Sequence, residues 1–478
     1  MFRSVLIANR GEIARRIIRT CKQMGIHTIA IYSDADVNAL HVRDADESIG
    51  IGGFTPRESY LVIDKVMSAA KQSGAEAIHP GYGFLSENAD FAQAVSDAGM
   101  TFIGPTPNAI RMLGDKTAAR DVAVQSSVPI APGSIGAIET FEQAKSLLDE
   151  IGYPVIIKAA AGGGGKGMRI VEDAADLEVA YQLAQSEAMN AFNDSRVFIE
   201  RYVNQPRHIE IQILADHHGT VLYFPERECS MQRRHQKVIE ESPSTAITPE
   251  LRKRMGEAAS RLVQAANYTN AGTLEFLLDS SGDFYFMEVN TRLQVEHPVT
   301  EAISGVDFVE QQMRIACGEP LSITQEQIAD PNGHAIECRI CAEDVFADFL
   351  PDVGSIRMLD LPEGDSIRND HAVEVGSEIS VHYDPMIAKL ITWAPTRMEC
   401  IDITIAALDN YHLGGLKTTI PFCRLAIDSN AFRSGNYSTG FVKEFWPLPW
   451  PEGYIESIAA IATSTFEQEN ERRIVTVE

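Results

Sequence analysis

The sequence predicts a chain of mixed α/β and α+β class: a parallel-sheet region first, then a region built around a glycine-tipped strand pair, then a strand-rich mixed region. Three observations carry this. Strand-like and helix-like segments alternate from the N-terminus to about Gly104. Four glycines, Gly162 to Gly165, stand between two strand-like segments. From Ala271 onward, extended patterns dominate in "AGTLEFLLD" and "FYFMEVNTRLQVEH".

The first region reads "SVLIANR", "GEIARRIIRTCKQMG", "HTIAIYS", "YLVIDKVMSAAKQSG", "AEAIHP", "ADFAQAVSDAG", "MTFIG". Such alternation predicts βαβ units and a parallel sheet covered by helices. Ligands bind at the carboxyl ends of such strands. "HPGYGFLSEN" lies at one, with Gly81 and Gly83 predicting a tight turn or a close backbone approach. Pro105 and Pro107 end the sheet and a linking helix follows. In "TFEQAKSLLDEIG", Thr140 and Gln143 have capping-box spacing.

Next comes "YPVIIK", the glycines, then "GMRIV". Both flanks read as strands, which excludes a dinucleotide fingerprint, where a helix must follow. Gly167 after Lys166 excludes a P-loop, which needs a hydroxyl there. A strand–loop–strand with flanking lysines suits a lid whose backbone N–H groups close over phosphates; a plain surface loop is the competing reading. "RVFIERYV" and "RHIEIQILAD" read as strands and "TPELRKRMGEAASRLVQAAN" as a helix with Pro249 in its first turn.

The 478 residues suffice for several domains, and 45% apolar with 23% charged residues is ordinary for a globular protein. A net charge of -26 argues against sequence-independent nucleic-acid binding, though a basic pocket on an acidic surface still takes anions. The apolar run Val5 to Ala8 is too short for a signal-peptide core. No apolar run reaches the length of a membrane span. Seven scattered cysteines fit a structural role in a reducing cytoplasm; Cys338 and Cys341 stand on a strand at a spacing that points them to opposite faces.

Period two puts Phe284, Phe286, Glu288, Asn290, Arg292, Gln294 and Glu296 on one face of an extended chain. Glu275 sits among Leu274, Phe276, Leu277 and Leu278, where an unpaired charge would be very costly. Glu275, Glu288 and Asn290 are hard oxygen ligands suited to Mg²⁺ beside phosphates; a structural ion pair is the alternative. Arg233, Arg234, His235 and Lys237 crowd five positions, which in so acidic a chain points to an anion pocket.

The stretches "RGEIARRI", "HPGYGFLSEN", "GDK", "KAAAGGGGKGM", "PRHIEIQ", "CSMQRRHQKVIEE" and "MEVNTRLQVEHPVTE", in this order, resemble biotin carboxylase, the ATP-grasp component of biotin-dependent carboxylases. The resemblance runs from about Phe2 to about Lys443. It implies domains at 1–114, 115–330 (ATP-grasp, with a lid at about 133–203) and 331–446, then a tail, 447–478. It further implies that Lys116, Lys158, Gly163, Gly164 and Gly165 contact ATP phosphates or close over them. Glu200, Val203, His208, Gln232, His235 and Leu277 would surround adenine and ribose. Arg201 stands where lysine is frequent, but the expected contact there is backbone. Glu275, Glu288 and Asn290 would hold Mg²⁺, with Mn²⁺ as a substitute.

By the same resemblance, Lys237, Arg292, Gln294, Val295 and Glu296 would surround bicarbonate, with Glu296 as general base. Arg339 would face biotin, with Tyr82 and Asp384 nearby. The implied reaction is ATP-dependent carboxylation of biotin through carboxyphosphate. The rival readings are another ATP-grasp carboxylate–amine ligase and a non-catalytic nucleotide-binding protein. "RLQVEH" together with "RRHQK" favours bicarbonate, and no motif position is lost. No Met-Lys pair occurs in the 478 residues, so biotin is expected in trans on a biotin carboxyl carrier protein. A second copy of the chain, forming a homodimer, and a separate carboxyltransferase are the other expected partners, with neither nucleic acid nor membrane.

Overall fold

A computed structural model describes residues 1–134, 136–160 and 168–449. The first sheet is parallel, in the order β3-β2-β1-β4-β5: β1 Ser4–Ile7, β2 His27–Tyr32, β3 Glu47–Gly50, β4 Ala77–His79 and β5 Thr101–Phe102. Val5, Leu6, Ile7, Ile29, Ala30 and Ile31 are fully buried, as strands covered on both faces require. The short edge strand β3, "ESIG", has no apolar pattern and is not legible in the sequence.

After β4 the chain turns at Gly81, which has φ +64°, and a Cβ there would meet Asn9 Nδ2 at 2.9 Å. Asn9 donates to the carbonyls of Pro80 (2.8 Å) and Tyr82 (2.7 Å). The turn thereby fixes Tyr82 at the carboxyl end of the sheet. The expected linking helix is two helices, Pro107–Gly114 and Lys116–Gln125. Asp115 ends the first and caps the second by accepting from Ala118 N (2.9 Å), which sets Lys116 at a helix start.

The helix Phe141–Ile151 carries the Thr140–Gln143 capping box. It packs on a three-stranded antiparallel sheet in the order β7-β6-β8: β6 Val155–Ala159, β7 Arg169–Val171 and β8 Val197–Arg201. The glycine-tipped pair is thus an antiparallel hairpin. Its tip, including Gly163, Gly164 and Gly165, lies outside the described residues, as does the tail from 450.

The largest sheet has nine strands. Its members are β9 Arg207–Ala215, β10 Val221–Tyr223, β11 Arg227–Arg233, β12 Gln236–Ser242, β13 Asn270–Leu278, β14 Phe284–Asn290, β15 His334–Cys341, and the strands Met386–Ala394 and Ile367–His371. They run β14-β13-β9-β11-β12-β15, then Met386–Ala394 and Ile367–His371, with β10 on β9. The sheet therefore joins the ATP-grasp-like half to the C-terminal half. The helix Pro249–Ala265, capped by Thr248 with Pro249 in its first turn, packs against it. All seven cysteines are free thiols, with Cys338 and Cys341 buried.

Candidate active site

One face of the nine-stranded sheet carries the site, and two β-bulges decide which side chains reach it. In β14, Glu288 opposes Glu275 while Phe286 opposes Phe276, so one extra residue sits between. Phe284 and Phe286 therefore turn into the core against Phe276, while Glu288 and Asn290 face the cleft. The single polar face expected from Phe284 through Glu296 does not exist. Beyond Asn290 the strand ends, and residues 291–296 turn into the helix His297–Ser304. That turn, rather than strand alternation, brings Arg292, Gln294 and Glu296 into the cleft.

The second bulge lies in β12. Met231 opposes Ile239 and Gln232 opposes Lys237, so β12 gains a residue. Lys237 and Glu240, three apart, consequently share a face. At the hairpin tip, Arg234 (φ 49°) and His235 (φ 67°) both adopt left-handed conformations, as a two-residue turn of this hand demands.

The centre is a buried charge cluster. Lys237 Nζ lies 2.8 Å from Glu275 Oε1, 2.8 Å from Glu296 Oε1, and also bonds Glu210. Fully buried Arg227 holds the other oxygen of Glu210 at 2.9 Å. Arg339 bridges Glu240 (2.6 Å) and Glu296 Oε2 (2.8 Å). Burial and Glu210 push the Glu296 carboxyl up, but Lys237, Arg339 and Arg227 outweigh them and hold it below its usual range. Burial likewise opposes ionisation of Glu275, and Lys237 with His208 draws it well below. Lys237, penalised by burial, is raised well above its ordinary value by Glu210, Glu275 and Glu296. Glu296 is thus an anionic base at the start of a helix, whose dipole favours that charge.

Arg292 donates to Glu87 (3.0 Å), Gln294 (2.8 Å) and Asn290 Oδ1 (2.9 Å). Gln294 and Asn290 donate to Glu275 Oε1 at 3.2 and 2.9 Å. Val295 offers its carbonyl to Lys389 Nζ (2.7 Å). Glu288 meets Lys116 at 3.2 Å. Glu275 and Glu288, opposed across two strands with Asn290 two residues on, form an oxygen-only donor set that fits Mg²⁺. The ion-pair reading also has support, since both carboxylates engage lysines in this structure.

On the side of the glycine hairpin, Lys158 lies 2.5 Å from Glu200, which also bonds Arg120. Leu277, half-buried, stands opposite His208, whose Nε2 is 2.9 Å from Glu275. Gln232 contacts His208 Nδ1 at 3.4 Å. Val203 is half-buried and His235 exposed, both outside the cluster's hydrogen bonds. Tyr82 bonds Glu12, itself 3.3 Å from buried Lys389. Asp384 is exposed and accepts from Met386 N (2.9 Å).

Sequence reasoning missed Glu210, Arg227, Glu240, Glu12, Glu87 and Lys389. A signal for Glu210 exists: His208, Glu210 and Gln212 alternate with isoleucines in "RHIEIQI", which marks a polar row in a buried strand.

Residues 1–110 match the family model for the biotin carboxylase N-terminal domain, and 337–444 that for the biotin carboxylase C-terminal domain. Residues 115–324 match the ATP-binding domain of the carbamoyl-phosphate synthase L chain. The chain is 51% identical to biotin carboxylase of Nostoc sp. over 443 residues, covering 93% of this chain and 99% of the relative. It is 48% identical to the propionyl-CoA carboxylase alpha chain of Ruegeria pomeroyi over 489 residues, covering 97% of this chain and 72% of the relative. Among solved structures, the biotin carboxylase domain dimer of Hydrogenobacter thermophilus 2-oxoglutarate carboxylase, with MgADP, ADP and bicarbonate, superposes with a TM-score of 0.90. It is 46% identical, covering 93% of this chain and 98% of that one.

Proposed function

The chain belongs to the biotin carboxylase family of ATP-dependent carboxylases, and we propose from that premise that Glu296 takes the bicarbonate proton while Lys237, Arg292 and Arg339 hold the charges around it. The observation that carries this reading is the double clamp on Glu296: Lys237 on one oxygen and Arg339 on the other, both at 2.8 Å. When Glu296 accepts a proton, Lys237 keeps Glu210 and Glu275 and Arg339 keeps Glu240, so no buried cation is left bare.

Bicarbonate is a poor nucleophile, and its attack on the γ-phosphate of ATP builds charge on the transferring group. Arg292 can present two N–H donors to the anion once it leaves Asn290 and Gln294. Lys237 stands where it can neutralise the phosphoryl oxygens. Glu275, Glu288 and Asn290 would hold Mg²⁺, which would supply further charge neutralisation for the ATP phosphates. Lys116 and Lys158 would exchange their carboxylate partners for phosphate. Gly163, Gly164 and Gly165 would close over the phosphates and exclude water that would hydrolyse carboxyphosphate. Glu200, Val203, His208, Gln232, His235 and Leu277 would hold the nucleoside. Arg339, with Tyr82 and Asp384 near, would stabilise the ureido oxygen of biotin as its nitrogen is carboxylated.

The domain divisions 1–114, 115–330 and 331–446 are part of this proposal, as are a biotinylated carrier in trans, a carboxyltransferase and a homodimer. The dimeric 2-oxoglutarate carboxylase domain supports the last. Among the described residues, no helix is long and apolar enough to cross a membrane. A cytoplasmic location is proposed on the seven free thiols.

The test is a labelled-bicarbonate assay with ATP and free biotin. Acid-labile labelled carboxybiotin is the expected product; ATP turnover that yields none would remove the proposal.

A further inference from the structure

Glu240 and Glu337 oppose one another on β12 and β15, and both are fully buried. Opposed residues keep their Cβ atoms about 5 Å apart, so the two carboxyl groups are within reach of each other. Glu240 Oε1 receives Arg339. Glu240 Oε2 and both oxygens of Glu337 have no hydrogen-bond partner among the described residues. These are buried polar atoms without a partner among the described residues, next to the arginine assigned to biotin.

Every packed element contributes to their surroundings. β15 supplies Arg339, two residues from Glu337 on the same face. The strand Met386–Ala394 places Lys389 opposite Arg339, but Lys389 is engaged by Val295 and Glu12. Beside Lys389, the strand Ile367–His371 contributes Asp370. From β12 comes Lys237, committed to Glu210, Glu275 and Glu296. The turn ahead of the helix His297–Ser304 contributes Glu296. In that helix His297 is buried, and burial with Lys389, Arg16 and Arg368 keeps it neutral. Among the described residues, no cation is left to pair with a second charge at Glu337. Two neighbouring buried carboxylates cannot both ionise under those conditions. Burial pushes Glu337 well above the usual carboxylate range, Lys389 opposing and Glu240 adding to it. Burial, against Arg339 and with Glu296, pushes Glu240 up to about 7.

We propose that Glu337 is a positioning residue for Arg339: the Glu240–Glu337 pair, closed off between β12 and β15, holds one shared proton. The single charge left on the pair keeps Arg339 divided between Glu240 and Glu296. A second charge would draw the guanidinium toward the pair, away from Glu296 and from biotin. This rests on the assignment of Arg339 to biotin. Biotin-dependent turnover should therefore fall on the alkaline side as the pair loses its proton.

Two readouts test this separately from the assignment itself. Difference infrared spectroscopy of the full chain at neutral pH should show a protonated-carboxyl C=O band that disappears in Glu337→Gln. The alkaline limb of kcat/KM for biotin should move up by at least about one pH unit in that variant, because the glutamine cannot ionise. A band that survives the substitution would overturn the proposal, as would a uniform loss of activity with the limb unmoved, the mark of a merely structural residue. If Glu337→Gln does not fold, Glu337→Asp takes its place: a shifted or lost band supports the shared proton, and a band left unmoved refutes it. A band lost in Glu337→Gln alongside an unchanged biotin KM in Arg339→Gln would leave the proton in place but remove Arg339 from biotin, and with it the positioning role.

Discussion

Glu240 and Glu241 are neighbours on β12, both fully buried, and they point to opposite faces of the nine-stranded sheet. On the back face, Glu241 receives His334 (2.7 Å), Arg397 (2.7 and 3.1 Å) and Tyr437 (2.5 Å). Burial opposes its charge, yet His334 and Arg397 bring it down to about 2. On the cleft face, Glu240 has one oxygen on Arg339 and the other unbonded among the described residues, and burial carries it up to about 7. Depth is the same for both; partners differ. The back face is a closed network that stabilises the fold. The cleft face leaves buried carboxyl oxygens unpaired among the described residues: Glu240 Oε2 and both oxygens of Glu337.

The largest expected difference between the faces comes from Lys237→Met. It leaves Glu210, Glu275 and Glu296 without their shared cation, and turnover should fall by about 10²–10³-fold, the scale of losing one transition-state donor. Steady-state kinetics on the folded variant checks this; a loss below about tenfold would place Lys237 outside the chemistry. On the back face, Glu241→Gln should leave turnover per folded molecule unchanged while lowering stability.

The sign of that stability effect follows from the depressed carboxyl. Its contribution is complete above the unfolded value of about 4.3 and is lost as pH falls towards about 2. The size is on the order of 3 kcal/mol. Denaturant melts of wild type and Glu241→Gln should therefore differ at neutral pH and converge in acid. Glu240 acts oppositely: raised in the fold, it favours folding at low pH and loses that contribution as pH rises towards about 7.

A smaller effect is expected on the lid side. Among the described residues Lys158 has a single carboxylate partner, Glu200, whereas Lys237 has three. Lys158→Gln should raise the KM for ATP by about 10–100-fold, the worth of one charged hydrogen bond, with a lesser change in kcat. Equal losses in both would make Lys158 part of the chemical step and erase the contrast.

The sequence showed the parallel sheet, the glycine hairpin and the carboxylates Glu275 and Glu288 because each lies in a local pattern of period two or a βαβ alternation. The two bulges were not legible. Nothing in "FYFMEVN" says that Met287 is the extra residue, and nothing in "QKVIEES" says that Lys237 and Glu240 share a face. Strict alternation consequently put Phe286 beside Glu288, where the structure separates them. The Glu240–Glu337 opposition was hidden for a different reason: strand order in a sheet is a property of tertiary packing, and β12 and β15 are far apart in the chain.

The clamped carboxylate of Glu296, proposed as the base for bicarbonate, is the residue on which the cleft's chemistry turns. Glu296→Gln keeps the shape and removes the basic oxygen, and its measurement is bicarbonate-dependent ATP turnover at saturation beside nucleotide affinity. Turnover should fall by about 10²-fold or more with ATP affinity little changed, since Glu275 and Glu288 remain. Collapsed ATP affinity with turnover preserved at saturation would instead make Glu296 a nucleotide or metal residue.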